Sequence, residues 1–255
     1  QKLRASHVTR LKVKGKSPQE WQDEKPPEGV QAVTYKSGEL ELKAWFARPK
    51  GDKVPAVCFF HGGFAFGKED WDCARPFLDA GFALLCPTVR GENGNPGHFE
   101  LFYGEIDDAR AAIRWLVKQP GIDADRIFTF GHSVGGGISA VLALHDEPKV
   151  KLSGSAAGLY PRDTFFGWKE IVPFDPSDEK EAKLRLLSLN LDQMRGRHVA
   201  YLGTEDRAMT LGLGALTAKA KKAGAPLEIE KVPGDHGAML EPAIKKFIER
   251  IKKEK

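Results

Sequence analysis

The sequence predicts an α/β fold: a mostly parallel twisted sheet with helices on both faces. Unbroken apolar runs that end in glycine, such as "PAVCFFHGG" and "FALLCPTVRG", are typical of strands buried on both sides. Segments with helical apolar spacing lie between these runs. Because parallel neighbours need a crossover connection, this alternation predicts helices packed on both faces of one sheet. The chain has 255 residues, 41% of them hydrophobic, which is enough for a large core.

The elements follow one another from the N-terminus. Residues 30–51 alternate apolar and polar on both sides of Lys36-Ser37-Gly38, which predicts an antiparallel hairpin at one edge of the sheet. The remaining pattern predicts strands at 55–63, 82–91, 126–133, 151–160, 198–206 and 227–234, and helices at 70–81, 104–119, 136–145, 213–224 and 241–253.

One segment, residues 161–197, breaks this rhythm. It separates two predicted strands and is longer than a simple crossover. We expect it to form a small cap or insertion over the sheet. The sequence contains no second core pattern, internal repeat or low-complexity linker, so we expect a single domain spanning residues 1–255.

Charge and composition exclude several classes of protein. The net charge is +4, and the basic C-terminal run "KKFIERIKKEK" has the apolar spacing of an amphipathic helix rather than a nucleic-acid patch. No run of about 18 apolar residues exists, so no membrane span is expected. The three cysteines form no CxxC pair, and the chain has no dinucleotide fingerprint, P-loop or H-E-x-x-H motif. We expect no metal and no cofactor.

The chain starts at Gln1 without an initiator methionine. This start favours an exported protein, periplasmic or secreted, over a cytoplasmic one. The sequence leaves the oligomeric state open.

The stretch "GHSVG" places Ser133 between Gly131 and Gly135, directly after a predicted buried strand and before a small-residue helix. Glycines here could simply allow a tight turn. The same arrangement is also the strand–turn–helix setting of the G-x-S-x-G motif, in which a strained turn exposes a nucleophilic serine. Ser133 is therefore the candidate nucleophile.

A serine hydroxyl needs a base to take its proton, and the base needs a carboxylate to orient it. In this setting the chain order is serine, acid, histidine. Three histidines follow the serine: His145 at a helix end, His198 at a strand start, and His236 in the loop "PGDHG" after the last strand. A loop at the carboxyl end of a strand is where α/β sheets place ligands, which favours His236.

The acid should lie on a similar loop. "GTED" follows a predicted buried strand and supplies Glu205 and Asp206. We predict Asp206, with Glu205 as the second candidate, although a polar turn that starts a helix would look the same. Asp235 adjoins His236 but would point elsewhere in an extended loop.

The motif order "HGGF", "RGENG", "GHSVGG", "GTED", "GDHG" resembles the α/β-hydrolase superfamily. It looks closest to the branch of dienelactone-hydrolase-like esterases and prolyl-oligopeptidase-type catalytic domains, from about Val54 to the C-terminus. The resemblance implies Ser133 as nucleophile, Asp206 as acid and His236 as base. Peptidases of that branch usually carry an N-terminal propeller, for which the residues before Val54 are too few.

The resemblance also implies an oxyanion hole. Its first donor would be the backbone N–H of Gly63 or Phe64, and its second the N–H of Val134, after the nucleophile. His61 is expected to support this loop rather than to touch substrate.

The candidate pocket residues carry two interpretations each. His132 could line the pocket or satisfy a structural hydrogen bond. The aromatic side chains of the cap could wall an acyl or alcohol pocket, or could anchor the cap to the core; they are Phe165, Phe166 and Trp168.

These residues predict a serine hydrolase that cleaves a small-molecule carboxylic ester through an acyl-enzyme. No dedicated anchor for a peptide terminus is visible, which favours esters over amides. The alternatives are a small prolyl-oligopeptidase-like serine peptidase without a propeller, and a catalytically silent α/β-hydrolase that serves as a binding module.

Overall fold

The computed structural model describes residue 4 and residues 6–254. Within them, one sheet contains eight strands in the order β1-β2-β4-β3-β5-β6-β7-β8. The strands are β1 Gln31–Ser37, β2 Leu40–Ala47, β3 Val54–Phe60, β4 Ala83–Pro87, β5 Ile122–His132, β6 Leu152–Ala156, β7 His198–Gly203 and β8 Leu227–Val232.

The pairing directions divide the sheet into two parts. β1 pairs antiparallel with β2, and β2 antiparallel with β4. From β4 onward every pair is parallel. The mostly parallel sheet with an antiparallel hairpin at one edge is therefore confirmed.

Helices connect the parallel strands. They are α1 Lys68–Asp79, α2 Gly104–Val117, α3 Ser133–Leu142, α4 Thr164–Gly167, α5 Glu179–Arg185, α6 Arg207–Thr210, α7 Leu213–Ala223 and α8 Leu240–Ile251. The helix after the third parallel strand begins at Ser133, earlier than the expected 136. The chain reverses at a single residue: His132 is still extended and Ser133 takes a left-handed φ of 48°. The residues expected to form a turn are thus the first turn of α3.

The two faces of the sheet carry different helices. Phe130 of β5 packs against Phe77 of α1 and Phe247 of α8. The preceding residue, Thr129, is hydrogen-bonded through its hydroxyl to Ser139 of α3 at 3.0 Å. Because successive strand residues point to opposite faces, α1 and α8 cover one face and α3 the other. The predicted layering is confirmed.

The segment 161–197 contains α4, α5 and two short 3₁₀ turns, Leu187–Leu189 and Leu191–Gln193. Its charged centre is fully buried: the Arg185 guanidinium donates to the Glu181 carboxylate at 2.6 Å and lies 3.9 Å from the Phe174 ring centre. The N-terminal segment joins this cluster, since the Thr9 hydroxyl donates to Glu181 at 2.6 Å. The buried pair therefore holds these two chain segments together.

Within the described range, no helix combines the length and apolar character that crossing a bilayer requires.

The close packing of α3 yields a stability prediction. A Cβ added at Gly135 would lie 2.1 Å from the Phe60 carbonyl oxygen, a backbone atom that cannot move aside. We expect Gly135→Ala to lower the free energy of unfolding by about 3 kcal/mol or more, measured by urea denaturation.

The matched control is Gly214→Ala. Gly214 is also helical, but an added Cβ would meet no atom within 4 Å. This variant should be neutral or gain up to about 1 kcal/mol from helix propensity. Equal stability of the two variants would contradict the packing argument.

Candidate active site

The turn at Ser133 depends on its two flanking glycines. A Cβ at Gly131 would lie 2.1 Å from the Gly135 carbonyl oxygen, and one at Gly135 would meet β3 at a similar distance. Only glycine allows this approach of helix to strands. Ser133 itself adopts a left-handed backbone conformation, which is strained for a residue other than glycine. Strain of this type concentrates at functional sites. The Ser133 side chain is thereby placed at the carboxyl edge of the sheet.

A chain of hydrogen bonds starts at the Ser133 hydroxyl. Its Oγ lies 2.9 Å from His236 Nε2, and His236 Nδ1 lies 2.6 Å from Asp206 Oδ2. Asp206 is 5% exposed, and its other oxygen accepts the Met209 N–H at 3.3 Å. The structure thus brings together the three residues that the sequence selected as nucleophile, acid and base.

The other two acidic candidates lie outside this chain. Glu205 is exposed, whereas its neighbour Asp206 points inward. The Asp235 carboxylate accepts the N–H groups of Gly237 and Ala238 at 3.1 and 2.9 Å. Asp235 therefore shapes the turn that carries His236.

His132 supports the same loop from the other side. Its Nε2 lies 2.8 Å from the His236 carbonyl oxygen, which can only accept, so the His132 ring carries its proton on Nε2. Burial lowers the pKa of His132, although the bond to that carbonyl opposes the shift. Of the two interpretations of His132, the hydrogen-bonded one matches this geometry.

The "HGGF" loop lies directly beside Ser133. A Cβ at Gly62 would be 3.6 Å from the Ser133 Cβ. The His61 ring bonds its own loop at the Gly62 carbonyl (2.8 Å) and Glu92 at 3.2 Å. Burial alone would lower the pKa of His61, but the charge and hydrogen bond of Glu92 outweigh it and raise the pKa to about 9. His61 is therefore a buried cation that holds the loop.

The motif "RGENG" is the partner of this loop. Besides Glu92, it supplies Asn93, whose side-chain amide bonds both the N–H and the carbonyl of Phe66, at 2.9 and 2.7 Å. The motif is itself held by Arg90, which makes two 2.8 Å bonds to the fully buried Asp108 of α2. The segment 61–66, which includes the "HGGF" loop, is thus held at both ends.

Two backbone donors face different surroundings. The Phe64 N–H donates to the side-chain oxygen of Gln19 at 2.8 Å, a residue of the N-terminal segment. Val134 is the second residue of α3, and the first N–H groups of a helix have no partner within the helix. Sequence reasoning missed Gln19, because no local pattern indicates that it crosses to Phe64.

A tyrosine that sequence reasoning also missed completes the surroundings of Ser133. The Tyr160 hydroxyl lies 3.2 Å from Ser133 Oγ, and its ring is 4% exposed. That ring stacks on Phe102 and meets Trp168 edge-on, at centroid distances of 5.7 and 5.2 Å. The sequence did offer one signal: Tyr160 lies in "AAGLY", just after β6. Because the carboxyl ends of parallel strands meet at one edge of the sheet, a residue at this position can reach the site.

The three cap aromatics have different positions. Trp168 reaches the site: besides Tyr160, its ring contacts Phe64 at a centroid distance of 6.3 Å. Phe165 is fully buried against Phe174 within the same segment. Phe166 is 46% exposed, with the Arg162 guanidinium 5.9 Å from its ring centre. These contacts favour the interpretation of Trp168 as part of a pocket wall and of Phe165 as an anchor to the core.

Among the side chains that the structure describes, no group of three or more His, Cys, Asp or Glu residues could hold a metal ion.

Comparison with known proteins gives relatives by sequence. A family model described as X-Pro dipeptidyl-peptidase (S15 family) matches residues 9–166. An uncharacterized protein of Mycobacterium tuberculosis is 32% identical over 123 residues, 48% of this chain and 43% of that protein. Esterase LipI of the same species is 33% identical over 102 residues, 37% of this chain and 30% of LipI. The matches span less than half the length of these relatives.

Comparison of structures agrees on the fold. An esterase from Pyrococcus furiosus superposes with a TM-score of 0.71 at 15% identity, covering 96% of this chain and 97% of that one. The resemblance inferred from the motifs is confirmed. Because the family model covers more than half of the chain, the protein belongs to the X-Pro dipeptidyl-peptidase (S15) family, in the prolyl-oligopeptidase-type and esterase branch of the α/β-hydrolase superfamily.

Proposed function

We propose that this protein is a serine hydrolase that cleaves carboxylic esters through an acyl-enzyme. The observation that carries the proposal is the continuous hydrogen-bonded chain Asp206–His236–Ser133, with the serine held on a strained turn. A nucleophile, a base in hydrogen-bond reach and a carboxylate that orients the base are the parts that acyl transfer requires.

The hydrogen bonds fix the direction of proton transfer. The Asp206 carboxylate accepts the Nδ1–H of His236, so Nε2 carries the lone pair that accepts the Ser133 O–H. Oγ attacks the ester carbonyl while its proton passes to Nε2. The imidazolium returns that proton to the leaving alcohol, and a bond between Oγ and the acyl carbon remains. Water activated by Nε2 then releases the acid and restores the serine.

We assign the oxyanion hole to the N–H groups of Gly63 and Val134. The alternative donor, the Phe64 N–H, already donates to Gln19. The position of Val134 at the start of α3 adds the helix dipole to its N–H. A preorganised donor of this kind contributes roughly 3 kcal/mol to transition-state stabilisation.

The surroundings of the serine support esters over peptides. Three of the side chains beside Ser133 and the "HGGF" loop are aromatic, namely Phe64, Tyr160 and Trp168, and none of these three carries a charge that could bind a peptide terminus. The similarity to esterase LipI supports the same choice. The family description supports the alternative, an X-Pro peptidase with the same triad.

The nucleophile is tested first. Ser133→Ala should lower kcat/KM for a short-chain p-nitrophenyl ester by at least about a thousandfold, because the attacking atom is removed. Release of p-nitrophenol measures the rate. The variant should also lose covalent labelling by a fluorophosphonate. Undiminished hydrolysis by Ser133→Ala would remove this serine from the mechanism.

The same labelling experiment tests the alternative that the protein is a catalytically silent binding module. Labelling of the wild-type protein at Ser133 without hydrolysis of any ester in an acyl-length series would indicate a narrow substrate range. Neither labelling nor hydrolysis would favour the binding module.

The acid is tested by a neighbouring pair. Asp206→Asn removes the carboxylate that fixes the His236 tautomer, so we expect kcat to fall by about 10³- to 10⁴-fold. Glu205→Gln, one residue earlier and exposed, is the matched control and should stay within about twofold. The reverse ranking in the same ester assay would assign the acid to Glu205.

Substrate class is tested with leaving groups. We expect p-nitrophenyl acetate to be hydrolysed with a higher kcat/KM than p-nitroacetanilide, relative to the uncatalysed rate of each. An X-Pro p-nitroanilide should be cleaved poorly. Efficient cleavage of the X-Pro compound would replace the esterase assignment with the peptidase alternative while keeping the triad.

A further inference from the structure

Tyr160 contacts the reacting oxygen without belonging to the triad. Its hydroxyl is 3.2 Å from Ser133 Oγ, and the direction of that bond follows from the neighbours. The single Ser133 proton is committed to His236 Nε2, because Nδ1 of that ring donates to Asp206. In the Tyr160–Ser133 contact the tyrosine O–H must therefore donate, and Oγ accepts.

The fold holds the phenol in this position by close contacts. A Cβ at Gly137 of α3 would lie 2.7 Å from the Phe102 ring and 3.1 Å from the Tyr160 ring, so the third glycine of "VGGG" makes room for the stacked pair. A Cβ at Gly158 would lie 2.4 Å from the Gly136 backbone, which brings the loop after β6 against α3. The Tyr160 carbonyl accepts the Ser188 hydroxyl at 2.7 Å.

Backbone strain marks the same places. Ala157, just before this loop, and Phe102, under the tyrosine ring, both have left-handed φ values, 55° and 63°. Neither is a glycine, and such conformations persist only where the surrounding structure enforces them. The position of the hydroxyl is therefore fixed before any substrate arrives.

We propose that Tyr160 is a fourth catalytic residue, whose hydroxyl donates a hydrogen bond to Ser133 Oγ whenever that oxygen carries negative charge. This inference rests on the proposed function. In acylation, Oγ becomes negative as its proton moves to His236. In deacylation, Oγ departs from the acyl carbon and takes the proton back. The donor is the same in both steps, and the tyrosine keeps its proton throughout.

The hydrogen bond from the Tyr160 hydroxyl to Ser133 Oγ is expected to be stronger in the transition state than in the resting enzyme. A hydrogen bond to a charged oxygen is roughly twice as strong as one between neutral groups. Burial raises the pKa of Tyr160 above the usual value, so the phenol stays protonated at neutral pH. The oxyanion donors act on the carbonyl oxygen, whereas Tyr160 acts on the nucleophile and leaving oxygen.

The test compares Tyr160→Phe with the wild type by stopped flow on a short-chain p-nitrophenyl ester. The variant keeps the ring and removes one hydroxyl. We expect the burst rate, which reports acylation, and the steady-state rate, which reports deacylation, each to fall about tenfold or more. Rates are expressed per active site titrated with a fluorophosphonate, so a misfolded fraction does not count.

The matched control is Tyr35→Phe. Tyr35 is equally buried, and its hydroxyl donates to the Thr88 carbonyl at 2.8 Å, outside the serine's surroundings. Its loss should leave both rates per site unchanged.

Several outcomes would overturn the inference. If Tyr160→Phe keeps both rates within about twofold while Ser133→Ala abolishes hydrolysis, the proposed function stands and the role of Tyr160 falls. A loss in acylation alone would also overturn it, because Oγ is the leaving oxygen of deacylation. Hydrolysis that survives Ser133→Ala would overturn the proposed function itself.

Discussion

The site depends on close contact between backbone segments at positions where glycine has no side chain. The first turn of α3 lies against the last residues of β3 on one side and against the loop after β6 on the other, and Gly131, Gly135, Gly136 and Gly158 are the residues that permit it. Any side chain at these positions would separate the helix from the sheet. The separation would relax the left-handed turn at Ser133, which exists only because the surrounding chain is packed this closely. The geometry of the Ser133 turn is therefore a consequence of residues that have no Cβ atom.

Charged groups complete the arrangement where the backbone alone cannot. A connected series runs from Asp108 on α2 through Arg90 to the "RGENG" loop, and from Glu92 to His61 in the "HGGF" loop. Buried charges are costly unless each is paired and hydrogen-bonded, and each of these is. The series is one reason why the "HGGF" loop beside Ser133 can be both irregular and well ordered.

The sequence was informative where the signal is local. Strand runs, helical spacing, the G-x-S-x-G stretch and the loops that carry Asp206 and His236 can all be read within a dozen residues, and they converge because parallel strands end at one edge. Gln19, Glu92 and Tyr160 escaped such reasoning, since each acts across a long sequence separation that no periodicity records. The start of α3 was misplaced because "SVG" resembles a turn, whereas one residue completes the reversal.

The His61–Glu92 pair also makes the stability of the folded protein depend on pH in alkaline solution. The folded protein keeps His61 protonated up to about pH 9, while the unfolded chain releases that proton at the ordinary value for histidine. The pair therefore adds its full contribution to stability in mildly acidic solution and loses it as the pH rises through about 9. Above about pH 9, the "HGGF" loop beside Ser133 would therefore lose the buried cation that holds it.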